Sequence, residues 1–152
     1  MYLAPTQTFT TSNTLNESMQ KVEIFISARN LLDMDFFSKS DPYVKVYFTS
    51  GPSRQQAYLG KTETIDNNLN PNFVKSFKLD YIFEVKQELF FEVFDEDDGK
   101  NDDFIGSVRT TLGTIAGAKN QTCFLDLTGN KKGKKPGKLI IRLEPCTDSN
   151  CK

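Results

Sequence analysis

From position 22 the chain alternates between apolar and polar residues. Val22, Ile24, Ile26 and Ala28 are apolar and alternate with the polar Glu23, Ser27 and Arg29. A period of two marks a strand with one face in a core and the other outside. The stretch 43–48 repeats it, with Val44, Val46 and Phe48 on one face. Further strand-like runs cover 56–64, 73–79, 88–94, 104–111, 122–127 and 138–143. Turn signals separate them: Ser50-Gly51-Pro52, Asn70-Pro71, Asp98-Gly99 and Lys135-Pro136-Gly137. Together these predict an all-β fold, an eight-stranded antiparallel sandwich of two sheets. Residues 112–119 have the character of a short helix in a connection, weakened by Gly113 and Gly117. Residues 1–19 are rich in Thr, Ser and Asn and read as a mobile lead, 20–145 as the domain, and 146–152 as a tail.

Composition narrows the function classes. A chain of 152 residues suits one domain with a real core. Thirteen Phe and five Tyr without Trp agree with sheets rather than bundles. The formal net charge is −1, so no global field points to nucleic acid. Histidine is absent, which excludes Ser-His-Asp and Cys-His catalysis and His-ligated zinc. Three cysteines, Cys123, Cys146 and Cys151, form no disulfide framework, because a Cys146–Cys151 pair leaves Cys123 over. The sequence shows no basic-then-apolar leader and no membrane-length apolar run. The expected compartment is the reducing cytosol.

The chemistry gathers in two acidic clusters, each following a strand-like run. Asp35 and Asp41 lie in the first, and Asp95, Asp97 and Asp103 in the second. Carboxylates repel one another, so gathering them is costly unless a cation neutralises them. Hard oxygen donors in loops suit Ca²⁺, which takes six to eight oxygens in irregular geometry. Asp33, Asp98 and Asp102 share these loops and read as peripheral charges rather than ligands. Phe36 and Phe37 stand between two of the acids and read as an apolar tip able to enter a lipid interface. Lys131, Lys132, Lys134, Lys135 and Lys138 form a basic run. With strands of alternating direction, the loop that carries it leaves from the same end as the acidic loops. Attraction to anionic lipid is worth about 1 kcal/mol per lysine near a membrane surface before screening. No aromatic stacking platform accompanies the lysines, which argues against nucleic acid.

Ser40-Asp41-Pro42-Tyr43-Val44-Lys45-Val46, Phe94-Asp95-Glu96-Asp97 and Asn70-Pro71-Asn72-Phe73 together resemble the C2 domain family. Gly60-Lys61-Thr62-Glu63, residues 77–84 and residues 89–95 are most similar to the first C2 domain of copines. The resemblance implies a Greek-key sandwich in the second (type II) circular permutation of the family. It places calcium ligands on Asp35, Asp41, Asp95, Asp97 and Asp103, with the backbone carbonyls of Met34 and Glu96 as additional donors. It also implies a non-enzymatic module that binds two or three Ca²⁺ and docks on anionic, phosphatidylserine-like membranes. Such a protein is expected to be a cytoplasmic monomer that moves to the inner face of the plasma membrane or to other membranes with calcium.

Three competing readings are set against this one. An EF-hand starting at Asp95 would have Gly99 at its fifth position and Gly106 at its twelfth, so the bidentate acid is missing. A two-metal hydrolase lacks a general base apart from the ligands themselves. A calcium-independent protein–protein interaction domain is the remaining alternative, using a sheet face or an edge strand.

Overall fold

The structure, a computed structural model, describes residues 19–34, 38–53, 55–99, 101–130 and 133–146. Among these residues, strands form where the alternation predicts them: β1 (Met19–Arg29), β2 (Pro42–Ser50), β3 (Ala57–Lys61), β4 (Phe77–Ile82), β5 (Gln87–Asp95), β6 (Asp103–Thr111), β7 (Thr122–Asp126) and β8 (Lys138–Pro145). The order β4-β1-β8-β7 makes one four-stranded sheet and β3-β2-β5-β6 the other, each antiparallel throughout. The last strand therefore lies beside the first, and β1 feeds the first acidic loop directly, which is the second permutation.

Both sheets turn their apolar columns inward. Val22, Ile24, Ile26 and Ala28 of β1 meet Val44 and Val46 of β2, Leu89, Phe91 and Val93 of β5, and Leu139, Ile141 and Leu143 of β8 in one core. Each large side chain buried this way stabilises the fold by about 1.5–3 kcal/mol. The helix α1 (Leu112–Gly117) forms despite its two glycines. Thr111 caps it, its hydroxyl accepting from the Thr114 N–H at 3.0 Å, and Leu112 and Ile115 are buried beneath it. Capping and burial outweigh the weak intrinsic propensity.

Two strands differ from the sequence reading. β3 covers Ala57–Lys61 rather than 56–64, and β4 begins at Phe77 rather than at 73. The intervening segment joins the sheets instead of extending either strand. Thr62 and Ile65 donate backbone hydrogen bonds to Val44 and Pro42 of one sheet. Leu69 and Pro71 then accept from Leu31 and Ala28 of the other, and Phe73 donates to Ile26. Near the opposite edge, Ser107 of β6 and Thr128 exchange two backbone bonds of 2.8 and 2.9 Å. The acidic end of the sandwich is thus sewn together on both sides.

Candidate functional site: the acidic end of the sandwich

The inward column of β5 carries the centre of the site. Gln87, Leu89, Phe91, Val93 and Asp95 are all buried, so the column is apolar in the middle and polar at both ends. Gln87 is satisfied by Ile82, Asp80 and Ser50. Asp95 has no solvent exposure at all. Its Oδ1 accepts the backbone N–H of Asp41 at 2.8 Å, which joins the two acidic clusters directly.

A one-residue register shift then sets what faces it. Val93 pairs with Gly106, but Phe94 pairs with Phe104 and Asp95 with Asp103, so Ile105 is the extra residue. Without this bulge Phe104 would stand opposite Asp95; with it Asp103 does. Side chains of a directly opposed pair share a face of the sheet, and like charges so placed destabilise it. Burying Asp95 next to that pairing adds a desolvation cost.

The first loop is pinned at its base. The buried Ser40 hydroxyl accepts from the Met34 N–H at 2.8 Å and donates to the Leu32 carbonyl at 3.2 Å. Asp41 Oδ1 accepts from the Asn67 N–H at 2.7 Å, and its carbonyl accepts from the Glu96 N–H at 2.9 Å. Glu96 also receives the Thr64 hydroxyl at 2.9 Å. Asp97 donates its backbone N–H to Asp102 Oδ1 at 3.0 Å.

Asp35, Phe36, Phe37, Lys131 and Lys132 lie outside the described residues, as do residues 1–18 of the 1–19 lead, Cys151 and the last residues of the tail. Cys123 is buried and free, and Cys146 is disulfide-bonded. Lys134 and Lys135 are exposed, and Lys138 opens β8 opposite Arg29. Their loop is fastened to the acidic end at two points. Pro136 accepts from the Leu32 N–H at 2.9 Å. Asn130 Nδ2 donates to the carbonyls of Phe104 and Ile105 at 3.2 and 3.0 Å. Among the described residues, neither Asp41 nor Asp103 forms an ion pair. No three acid, cysteine or histidine groups among the described residues stand close enough to hold a metal on their own. What the fold does assemble is the Asp41–Asp95–Asp103 neighbourhood. Its donors are all oxygens, which fits a hard cation such as Ca²⁺ and not a soft one.

Asp102 has a structural role that the sequence reading did not include: both its oxygens are engaged, Oδ1 with Asp97 and Oδ2 with the Tyr43 hydroxyl. Those two bonds, Tyr43 first, hold its carboxyl below the usual range. Burial, then the bond to Asp102, pushes the Tyr43 hydroxyl well above its ordinary value. Consecutive residues of an extended run point to opposite sides. The doublet Asp102-Asp103 therefore contained the signal that its two acids have different surroundings. Ser40 and Asn130, the other pins of the site, had no such signal.

The outer face of the β3-β2-β5-β6 sheet is aromatic beside the site. Tyr43 stacks on Phe94 at 5.7 Å, and Phe94 meets the edge of Phe104 at 5.6 Å. Tyr47 packs between Tyr58 and Phe90. Burial, then the hydrogen bond and charge of Glu92, push the Tyr47 hydroxyl up to about 12. An unfolded tyrosine ionises near pH ~10. The folded state therefore keeps a proton that the unfolded chain has lost, and this contribution is complete below pH ~10 and drains away toward pH ~12. Tyr47→Phe is expected to flatten the fall in stability over that window. Urea unfolding midpoints measured at pH 9 and at pH 11 on both proteins check this, and equal falls in the two would refute it.

The C2 domain family model matches residues 21–127. Copine-A of Dictyostelium discoideum is 43% identical over 131 residues, covering 86% of this chain and 21% of its own length. Copine-E of the same organism is 41% identical over 129 residues, 82% of this chain and 22% of its own. The chain spans about a fifth of the length of these relatives. Among solved structures, a C2 domain of plant Extended Synaptotagmin 1 superposes with a TM-score of 0.62 at 23% identity, covering 85% of this chain and 97% of that one. The paired C2 domains of Extended-Synaptotagmin 2, calcium bound, give a TM-score of 0.61 at 28% identity, with 83% and 45% covered.

Proposed function

The chain belongs to the C2 domain family, and from that premise we propose that it is a calcium-dependent module for docking on anionic phospholipid membranes. C2 domains commonly bind Ca²⁺ and phospholipid and are typically non-catalytic. The observation that carries the reading is the buried Asp95 facing Asp103 across the strands while touching Asp41 of the other loop. That arrangement costs energy in the empty protein and is relieved by a cation.

In this reading Asp35, Asp41, Asp95, Asp97 and Asp103 hold the metal, with the carbonyls of Met34 and Glu96 beside them. Two or three Ca²⁺ would supply positive charge where the acids supply negative, leaving open positions for lipid phosphate or carboxylate oxygens. Phe36 and Phe37 provide an apolar tip for the lipid interface. Lys131, Lys132, Lys134, Lys135 and Lys138 attract anionic headgroups, and the bonds of Asn130 and Pro136 fasten those two residues to the acidic end. Affinity for calcium without lipid is weak, because binding to membrane and binding to metal reinforce each other. The protein works in the cytoplasm and moves to the inner face of the plasma membrane or other membranes when calcium rises. Among the described residues no helix is long and apolar enough to cross a membrane.

The test is sedimentation with phosphatidylserine-containing vesicles, with calcium or with chelator, over a range of salt. Pelleting is expected only with calcium, and weaker as salt screens the lysines. Equal pelleting in chelator would defeat the reading. No pelleting in either buffer, with calorimetry silent for Ca²⁺, would favour the protein-interaction alternative.

A further inference from the structure

We propose that Asp102 is a positioning residue that fixes the backbone of Asp97 to the aromatic sheet, so that the second acidic loop is shaped before any cation arrives. The inference rests on the calcium reading for the role of Asp97, but its geometry stands apart from that reading. Asp102 Oδ1 accepts the Asp97 N–H at 3.0 Å, and Oδ2 accepts the Tyr43 hydroxyl. A carboxylate accepts at both oxygens and strengthens each bond with its charge. Asparagine can keep only one of them as an oxygen acceptor.

The anchor is rigid. Tyr43 is only 3% exposed and stacks on Phe94 at 5.7 Å, with the Lys61 ammonium 4.9 Å from its ring centroid. Phe94 in turn meets Phe104. These rings stand on β2, β5 and β6, three strands paired side by side. The loop they hold has little packing of its own. Asp98, Gly99 and Asn101 are exposed. Gly99 has φ +85°, and a side chain built there would meet nothing within 4 Å. A short loop with exposed residues takes much of its conformation from its ends, and the Asp97–Asp102 bond ties these ends together beyond the Asp95–Asp103 pairing.

Asp102 does not need to touch the ion in this scheme; it acts through Asp97. Removing a partner that orients a metal-binding residue typically weakens metal affinity by about 10–100-fold. Asp102→Ala is therefore expected to lose the exchange protection of the Asp97 amide in calcium-free protein, followed by NMR, and to weaken Ca²⁺ binding about tenfold by calorimetry. Asp102→Asn should keep most of the protection, since its Oδ1 still accepts from Asp97. Tyr43→Phe should show a smaller loss of the same kind. Asp98→Asn removes the same charge from an exposed neighbour and sets the effect of charge alone.

Amide protection at Asp97 unchanged in Asp102→Ala would overturn the proposal. A calcium loss no larger than that of Asp98→Asn, or an Asp102→Asn variant as damaged as the alanine, would overturn it too. If wild-type protein takes up no Ca²⁺, the calcium reading fails by itself, and the amide exchange of the four variants still decides the positioning role. Should Asp102→Ala not fold, Tyr43→Phe and Asp102→Asn carry the same comparison.

Discussion

Replacing Asp95 and Asp97 with asparagine is expected to abolish calcium-dependent pelleting while leaving the metal-free protein as stable as before or more so. The two halves of this result have one cause. Asp95 is fully buried, touches the Asp41 backbone and stands opposite Asp103. As a carboxylate it adds to the repulsion at a place where desolvation is already costly. Asparagine keeps an oxygen at Oδ1 to accept the Asp41 N–H and removes the charge. The fold therefore keeps the bond from Asp41 and gains relief, on the order of 1 kcal/mol by the usual size of opposed-charge effects. If these acids are calcium ligands, as proposed, two negative donors are lost together and calcium affinity should fall by at least about 100-fold, since ligand charge is a main control of affinity in oxygen-donor sites. Thermal melts in chelator and in calcium separate the effects. Wild-type protein should melt higher with calcium and the double variant should not. A calcium-induced rise of equal size in both would remove these acids from the site.

The largest structural effect is expected at a glycine. A Cβ on Gly137 would lie 2.7 Å from the Asn30 carbonyl oxygen, 2.9 Å from that of Arg29 and 2.9 Å from Leu31 Cα, and its φ is +115°. All three atoms are backbone, so none can rotate away. Gly137 also accepts the Leu127 N–H through its own carbonyl at 2.9 Å. It follows Pro136, which is bonded to Leu32. Backbone strain alone costs about 1–3 kcal/mol, and the clash adds to it. Gly137→Ala should therefore destabilise the domain by at least about 3 kcal/mol, or roughly 10 °C in melting temperature at this chain length. Gly133 in the same loop is the control. Its φ is +71°, but nothing lies within 4 Å of an added Cβ, so Gly133→Ala should cost only about 1 kcal/mol. Similar losses in the two variants would show that the close approach at Gly137 is not what sets the join between the lysine loop and β1.

A survivor of the Gly137 substitution is informative as well. Should the variant still fold, its lysine loop must have moved from Asn30 and Leu31, and vesicle binding should become less sensitive to salt while still requiring calcium. The acids and the lysines would then be separable contributions to one surface.

Alternation in the chain was enough to determine the number of strands and the inward faces of the long ones, and short motifs marked the two acidic clusters that follow strand ends. Periodicity is a local property, and Val22, Ile24, Ile26 and Ala28 announce their core face without reference to any other segment. The motifs around Asp41 and Asp95 were legible for the same reason, being short and contiguous. Only the tertiary structure decided that residues 62–73 join the two sheets, so that β4 begins at Phe77, because those backbone groups bond to strands tens of residues away. It also decided, through a bulge at Ile105, that Asp103 and not Phe104 faces Asp95. The engagement of Asp102 with Tyr43, and the fastening of the lysine loop by Asn130 and Pro136, belong to the same class. Each depends on register between distant segments, and a shift of one residue there changes which side chain meets which without altering the pattern along the chain.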